Sequence, residues 1–311
     1  MTGTLLFCKK SALVATLVAL TSTQLGAQAD LGRVLPADRP LHVVAFGDFG
    51  SGRPEQRETA DAISRRHAAQ PFDLGLTMGD NFYRCGVKSV TDAKWKTRWE
   101  DLYTPLGVPF YATLGNHDYG HPDVICLFTP GSPGAQVEYT KHSKSWRMPA
   151  RYYTYVAGPV RFIAIDTEGW TDRQLAWIGE VLRKSAGEPG VRWRVVYGHH
   201  PIFTSGVHIN QRRIGALRRH LLPVLMAGGV DLFIAGHDHD MERLHADGMD
   251  FLIAGGGGAK IRKIGKLETP SVFSAVSNGF LELHATNTEL TAQFLNLKLE
   301  PLDPKPLKRV K

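Results

Sequence analysis

At 311 residues the chain is long enough for one large domain or two small ones, with a substantial buried core. Hydrophobic residues at 43% and charged residues at 22% exclude a disordered, collagen-like or polytopic membrane chain. Lys and Arg total 37 against 30 acids, a net +7 that suits an anionic substrate. The bases are scattered rather than clustered, so no nucleic-acid partner is predicted. Three cysteines without a C-x-x-C spacing exclude a disulfide scaffold and a zinc ribbon.

Taken in chain order, Lys9 and Lys10 precede an uncharged stretch over 11–29, apolar over 12–20 and ending in Ala27-Gln28-Ala29. A basic start, an apolar centre and a small-x-small end predict a secretory signal over 1–29. Its apolar part falls short of the roughly 20 residues that a membrane span needs. The expectation is an exported protein, secreted or periplasmic, with no stable membrane insertion after cleavage and a single domain over 30–311. The mature chain would keep Cys85 and Cys126, an even count in a disulfide-permissive compartment, and their pairing is predicted.

Apolar runs over 41–46, 74–78, 110–114, 195–197 and 232–235 each end in a polar, glycine-bearing cluster. Continuous apolar runs fit strands buried on both faces. Helix-like stretches over 55–69, 92–102, 172–184 and 212–227 lie between several of them, which predicts an α/β fold. In open α/β sheets the ligand site lies beyond the carboxyl ends of the strands, where all five clusters fall. Residues 152–166, turning at Gly158-Pro159, and 279–296, turning near Asn287, predict antiparallel pairs. The proline-rich, basic stretch 301–311 predicts a surface tail.

The clusters supply Asp48; Asp80 and Tyr83; Asn116, His117 and Asp118; His199 and His200; His237 and His239. Any one of these is ordinary as a cap or turn residue. Five together form a set of carboxylate, amide and imidazole donors suited to divalent and trivalent metals. Two ions sharing one carboxylate can clamp an in-line displacement at phosphorus.

In order, Gly47-Asp48-Phe49-Gly50, Gly79-Asp80-Asn81-Phe82-Tyr83, Gly115-Asn116-His117-Asp118, Gly198-His199-His200-Pro201 and Gly236-His237-Asp238-His239 resemble the metal-ligand blocks of one family. These are the purple acid phosphatases of the small tartrate-resistant type, within the calcineurin-like dinuclear metallophosphoesterases. Residues 139–146 and 174–177 are similar as well, and the likeness covers about residues 40–300. The resemblance implies a two-sheet sandwich flanked by helices, in α/β/β/α layers. It implies an iron(III) held by Asp48, Tyr83, His239 and a shared Asp80, and a second ion, Fe(II), Zn(II) or Mn(II), held by Asp80, Asn116, His199 and His237. The implied reaction is hydrolysis of phosphate monoesters at acidic pH by a metal-bound hydroxide. His117 would assist the leaving oxygen or contact the phosphate, and His208 would stand beside the centre.

Most dinuclear phosphoesterases carry Asp-x-His in the first block. Here Gly50 stands at the histidine position, and Tyr83 resembles the family's replacement. A phenol titrates near pH ~10, so its ligation as phenolate at acidic pH demands a strong Lewis acid such as iron(III). A tyrosine packed under the loop is the alternative. A phosphodiesterase or nucleotide pyrophosphatase on the same platform is a second reading, which Asp-x-His would have favoured. A non-catalytic phosphate- or metal-binding protein is a third. His200 and His121 receive no role, and His42, His67, His142, His220, His245 and His284 are read as ordinary surface or core residues. Compared with the animal enzymes the chain is shorter between Thr167 and Gln174 and after Ala254, which predicts a barer site.

Overall fold

Every residue of the runs Leu41–Phe46, Leu74–Met78, Phe110–Thr113 and Leu232–Ala235 is buried, as strands covered on both faces require. They belong to two sheets in a computed structural model that describes residues 28–120, 124–127, 130–265 and 270–311. The strands in chain order are β1 (Gln28–Arg33), β2 (Leu41–Phe46), β3 (Leu74–Met78), β4 (Phe110–Thr113) and β5 (Trp146–Arg147). There follow β6 (Tyr152–Ala157), β7 (Val160–Ala164), β8 (Trp193–Tyr197), β9 (Leu232–Ala235) and β10 (Met241–Ala246). The last five are β11 (Met249–Ala254), β12 (Ser271–Ala275), β13 (Gly279–Ala285), β14 (Glu289–Asn296) and β15 (Leu307–Val310).

One sheet runs β1-β6-β7-β8-β9-β11-β10-β12 and the other β15-β14-β13-β2-β3-β4-β5. Each carries a parallel trio, β7-β8-β9 in the first and β2-β3-β4 in the second. Antiparallel hairpins β6-β7 and β13-β14 extend them. The β6-β7 turn needs glycine: Gly158 sits at φ 53, and a Cβ there would come 2.7 Å from the Arg39 carbonyl. Rings of Trp99, Tyr103, Phe110 and Trp146 interlock in the main core, which also takes in Ala60 and Ile63 of the helix Pro54–Ala69. A second core packs Ile178 and Leu182 of the helix Asp172–Ser185, with Leu217 and Leu225, onto Ile163, Val196 and Phe233. The result is a two-sheet sandwich with helices outside it, and the α/β reading holds.

Three expectations differ in detail. The stretch 92–102 is not one regular helix: α-helical ends, Ala93–Trp95 and Asp101–Tyr103, enclose a π-helical turn at Lys96–Glu100. The helix expected over 212–227 divides into Arg212–His220 and Leu222–Ala227. Pro223 lacks the amide proton and its ring crowds the preceding turn, so the first helix stops before it. The tail 301–311 is not free, because β15 pairs antiparallel with β14, Leu307 and Asp303 are buried, and Arg309 reaches Asp250 at 2.7 Å. An edge strand buries only alternate residues, which leaves little apolar signal.

The signal expected over 1–29 lies outside the described residues except for Gln28 and Ala29, which open β1 beside Tyr152 and Tyr153. Among the described residues, no helix is long and apolar enough to cross a membrane.

Candidate metal centre

Each of the five blocks leaves the carboxyl end of a parallel strand: 47–50 after β2, 79–83 after β3, 115–118 after β4, 198–200 after β8 and 236–239 after β9. To aim its side chain, the backbone turns sharply there. Asp48 (φ 57), Asp80 (φ 51) and His237 (φ 71) all occupy the left-handed region, which non-glycine residues rarely adopt and which collects at functional sites. Neighbouring glycines leave room for the carboxylates. A Cβ on Gly115 would lie 2.2 Å from Asp80 Oδ1, and one on Gly236 would lie 2.4 Å from Asp48 Oδ2. Gly50 is tighter still, since a Cβ there would come 1.7 Å from the carbonyl oxygen of Asn81. The first block therefore has no space for a side chain at the usual histidine position. The backbone that fills this space belongs to the block carrying Tyr83, whose amide donates to the Gly50 carbonyl at 2.9 Å.

The donor atoms gather in two groups. Tyr83 Oη lies 3.1 Å from Asp48 Oδ1 and 3.1 Å from His239 Nε2, and those two are 3.4 Å apart. His199 Nε2 lies 3.0 Å from Asn116 Oδ1, 3.1 Å from His237 Nδ1 and 3.5 Å from Asp80 Oδ1. Ligand atoms of Asp48, Asp80 and His199 fall within 4.8 Å of one another, so the two groups adjoin. Ligands held at about 2.0–2.2 Å from one ion sit about 3 Å from each other, and these spacings fit that arrangement.

The imidazoles are oriented from behind. His199 Nδ1 donates to the Met78 carbonyl at 2.7 Å and His239 Nδ1 to the Lys260 carbonyl at 2.8 Å, so both turn Nε2 inward. His237 is reversed, with Nε2 donating to Gln211 Oε1 at 2.8 Å and Nδ1 facing the centre. Such outer hydrogen bonds fix the tautomer and aim the lone pair of a metal-binding histidine.

Asp118 ties two ligand blocks together. Buried, it accepts from the amides of Asn81 (3.1 Å), Phe82 (3.1 Å) and Gly115 (2.9 Å) and from Gln136 Nε2 (2.9 Å). Burial, and then the charge of Asp80, push its carboxyl up to about 6. Asp80 goes the other way. Burial raises it, but His199, His117 and the His117 amide at 2.9 Å together hold it below the ordinary carboxylate range. Burial, then Asp80 and Asp48, push the Tyr83 phenol well above its usual value. A cation on the phenol oxygen supplies the opposite pull.

His117 stands beside the centre, with its ring 4.4 Å from that of Tyr83, Nδ1 donating to the Arg84 carbonyl at 2.7 Å and Nε2 4.0 Å from Asp80 Oδ2. The His208 ring lies 4.2 Å from that of His237, with Nδ1 2.7 Å from Asp238 Oδ1. His200 is buried against Thr167 Oγ1 (2.9 Å) and Glu168 (3.5 Å), and burial drives its imidazole well below its usual range. The cysteines Cys85 and Cys126 are joined, which links the end of the second block to the segment beyond the third. A cavity of about 460 Å³ opens on the centre, lined in part by Asn116, His117, His208, Arg213 and Arg262.

Three residues here escaped the sequence reading in their roles. Asp118 was visible as the fourth residue of the third block, but its clamp on the second block is a long-range contact. Gln211 and Arg262 stand outside every block, and no local spacing marks them. His42 and His284, read as ordinary, are cross-strand partners with rings 4.0 Å apart, flanking the buried Glu282.

The profile of the family described as calcineurin-like phosphoesterase matches residues 41–241. Purple acid phosphatase 4 of Arabidopsis thaliana is 28% identical over 300 residues, covering 87% of this chain and 85% of the relative. Tartrate-resistant acid phosphatase type 5 of Mus musculus is 28% identical over 302 residues, with 84% of each chain covered. Among solved structures, a purple acid phosphatase from yellow lupin (Lupinus luteus) seeds aligns with a TM-score of 0.67 at 19% identity, over 86% of this chain and 54% of that one. The anchor in the inner membrane complex of Plasmodium aligns at 0.73 and 24% identity, covering 88% and 89%. At such identities the solved structures speak for the fold alone, and the chemistry has to be argued from the site.

Proposed function

Because this chain belongs to the calcineurin-like phosphoesterase family, we propose that it is an acid phosphatase of the purple type, hydrolysing phosphate monoesters at a dinuclear centre. The observation that carries the reading is the pair Gly50 and Tyr83: no side chain fits at the first, and the phenol of the second lies 3.1 Å from both Asp48 and His239. Asp48, Tyr83, His239 and Asp80 would hold one ion, and Asp80, Asn116, His199 and His237 the other. A buried phenol among carboxylates suits iron(III) at the first position, while the amide and imidazoles of the second accept Fe(II), Zn(II) or Mn(II). Such a pair supplies Lewis-acid charge for phosphoryl oxygens and activates a water nucleophile.

The chain's own groups do the rest. The Asn116 side chain and the histidine cluster face the cavity, where they offer polar partners to a bound phosphoryl group. His117, with Nδ1 committed to the Arg84 carbonyl, has Nε2, 4.0 Å from Asp80 Oδ2, as the atom from which a proton can pass to the departing alkoxide oxygen. His208 is braced by Asp238 and holds the wall of the cavity beside His237. Export through the segment 1–29 completes the reading, and the Cys85–Cys126 bond supports an oxidising compartment, periplasmic or extracellular.

The test is turnover of an aryl phosphate monoester and the matching diester by metal-loaded protein at acidic pH. The monoester should be hydrolysed in clear preference. Preference for the diester would move the protein to the phosphodiesterase reading, and two bound metals without turnover of either would leave a binding protein.

A further inference from the structure

We propose that Arg262 forms a subsite for a second anionic group on the substrate, so that the preferred esters carry a carboxylate or further phosphate on the alcohol side. The inference rests on the phosphatase reading above and narrows its substrate class.

Arg262 lines the same cavity as Asn116, His117 and His208. Its backbone is fixed to the centre: the Arg262 amide donates to the His239 carbonyl at 3.1 Å, and two residues earlier the Lys260 carbonyl accepts from His239 Nδ1. The segment that orients one ligand therefore also sets where this guanidinium begins. At its far end, Arg262 Nη1 lies 2.7 Å from His208 Nε2. A guanidinium only donates, so His208 Nε2 is the acceptor and its Nδ1–H is given to Asp238.

Among the described residues, no carboxylate forms an ion pair with Arg262. The other guanidinium of the cavity, Arg213, differs, because Glu168 meets it at 3.3 Å. Of the two acids lining the cavity, Glu168 is thus already engaged by Arg213 and by His200, and Asp80 belongs to the ligand set. Position decides what Arg262 would meet. The His208 ring packs on His237, and Arg262 holds a nitrogen of that ring, which places the guanidinium on the cavity wall beside the ligands. A phosphate ester whose phosphoryl group is held by the ligand blocks would place its alcohol in this same cavity, where Arg262 can meet a second anionic group. The rigid donor fork of arginine matches carboxylate and phosphate oxygens in pairs.

The test uses two probes without a scissile ester, ethylphosphonate and phosphonoacetate, which differ by a methyl against a carboxylate. Binding of each to metal-loaded protein is measured by calorimetry. The wild type should bind phosphonoacetate at least tenfold more tightly, about 1.4 kcal/mol. R262Q should bring the two affinities within about twofold of each other. R219Q, which removes an exposed charge outside this cavity, should keep the wild-type ratio. If R262Q does not fold by thermal melting, R262K, which keeps the charge and loses the fork, must lower the ratio at least threefold. A wild-type ratio near one, a ratio that survives R262Q, or an equal loss in R219Q overturns the proposal. No turnover is read, so a failure of the phosphatase reading would show separately, as absence of hydrolysis.

Discussion

Gly50 and Tyr83 act as one packing unit, and each predicts something different when altered. Tyr83→Phe removes the phenol oxygen but keeps the ring against His117, so the fold should persist. With iron bound, wild-type protein should show a phenolate-to-iron(III) band, absent from the visible spectrum of Tyr83→Phe. Tyr119→Phe should keep the band, because the Tyr119 hydroxyl is given to Asp166 and not to the centre. Gly50→Ala asks more of the structure. Its Cβ would meet backbone atoms, Asn81 O at 1.7 Å and Phe82 N at 2.8 Å, and neither is the flexible end of a side chain. The second block must shift, and overpacking of this kind costs about 1–3 kcal/mol. Denaturant melts should show that loss, and elemental analysis should show the ion at Tyr83 weakened before the other.

At the scale of elements, what was legible followed from burial on both faces. Runs such as Leu74–Met78 needed no partner to be read, and their carboxyl ends carried the ligands. Strands β1 and β12 bury no residue and β10 mixes exposed with buried positions, so these three take their identity from neighbours in the sheet and no local pattern marked them. The cluster around Glu282 was illegible for the same reason. His42 and His284 come together only through the register of β2 against β13, and Arg66 joins from the helix Pro54–Ala69 at 2.7 Å. Burial raises the Glu282 carboxyl, but hydrogen bonds from His284, His42 and Arg66 outweigh it and hold the group well below the ordinary range. A depressed carboxyl stabilises the fold above its unfolded value near ~4.3, and the contribution fades as pH falls through the folded one. Glu282→Gln leaves the Arg66 guanidinium without its carboxylate at 2.7 Å and should cost about 3 kcal/mol at pH 6. The gap between variant and wild type in urea melts should narrow below about pH 4, where the unfolded wild-type chain takes up a proton that the folded Glu282 does not.

Across the whole molecule, two parallel trios from different sheets deliver all five ligand blocks to one edge of the sandwich. That convergence explains how a centre spread from Asp48 to His239 could be read from short motifs. Each motif is local to a strand end, and the fold supplies the meeting point. What the motifs could not convey is the outer layer, Gln211 on the ligand His237 and Arg262 on the wall residue His208, since these contacts are made by residues outside every block. The central claim is a phosphatase that works only with two ions held by these blocks. It is tested most directly by adding iron and zinc stepwise to metal-stripped protein while phosphate release from phenyl phosphate is followed at acidic pH. Activity should rise to a plateau at two ions per chain, whereas full occupancy without phosphate release, or full activity at a single ion, would contradict the account.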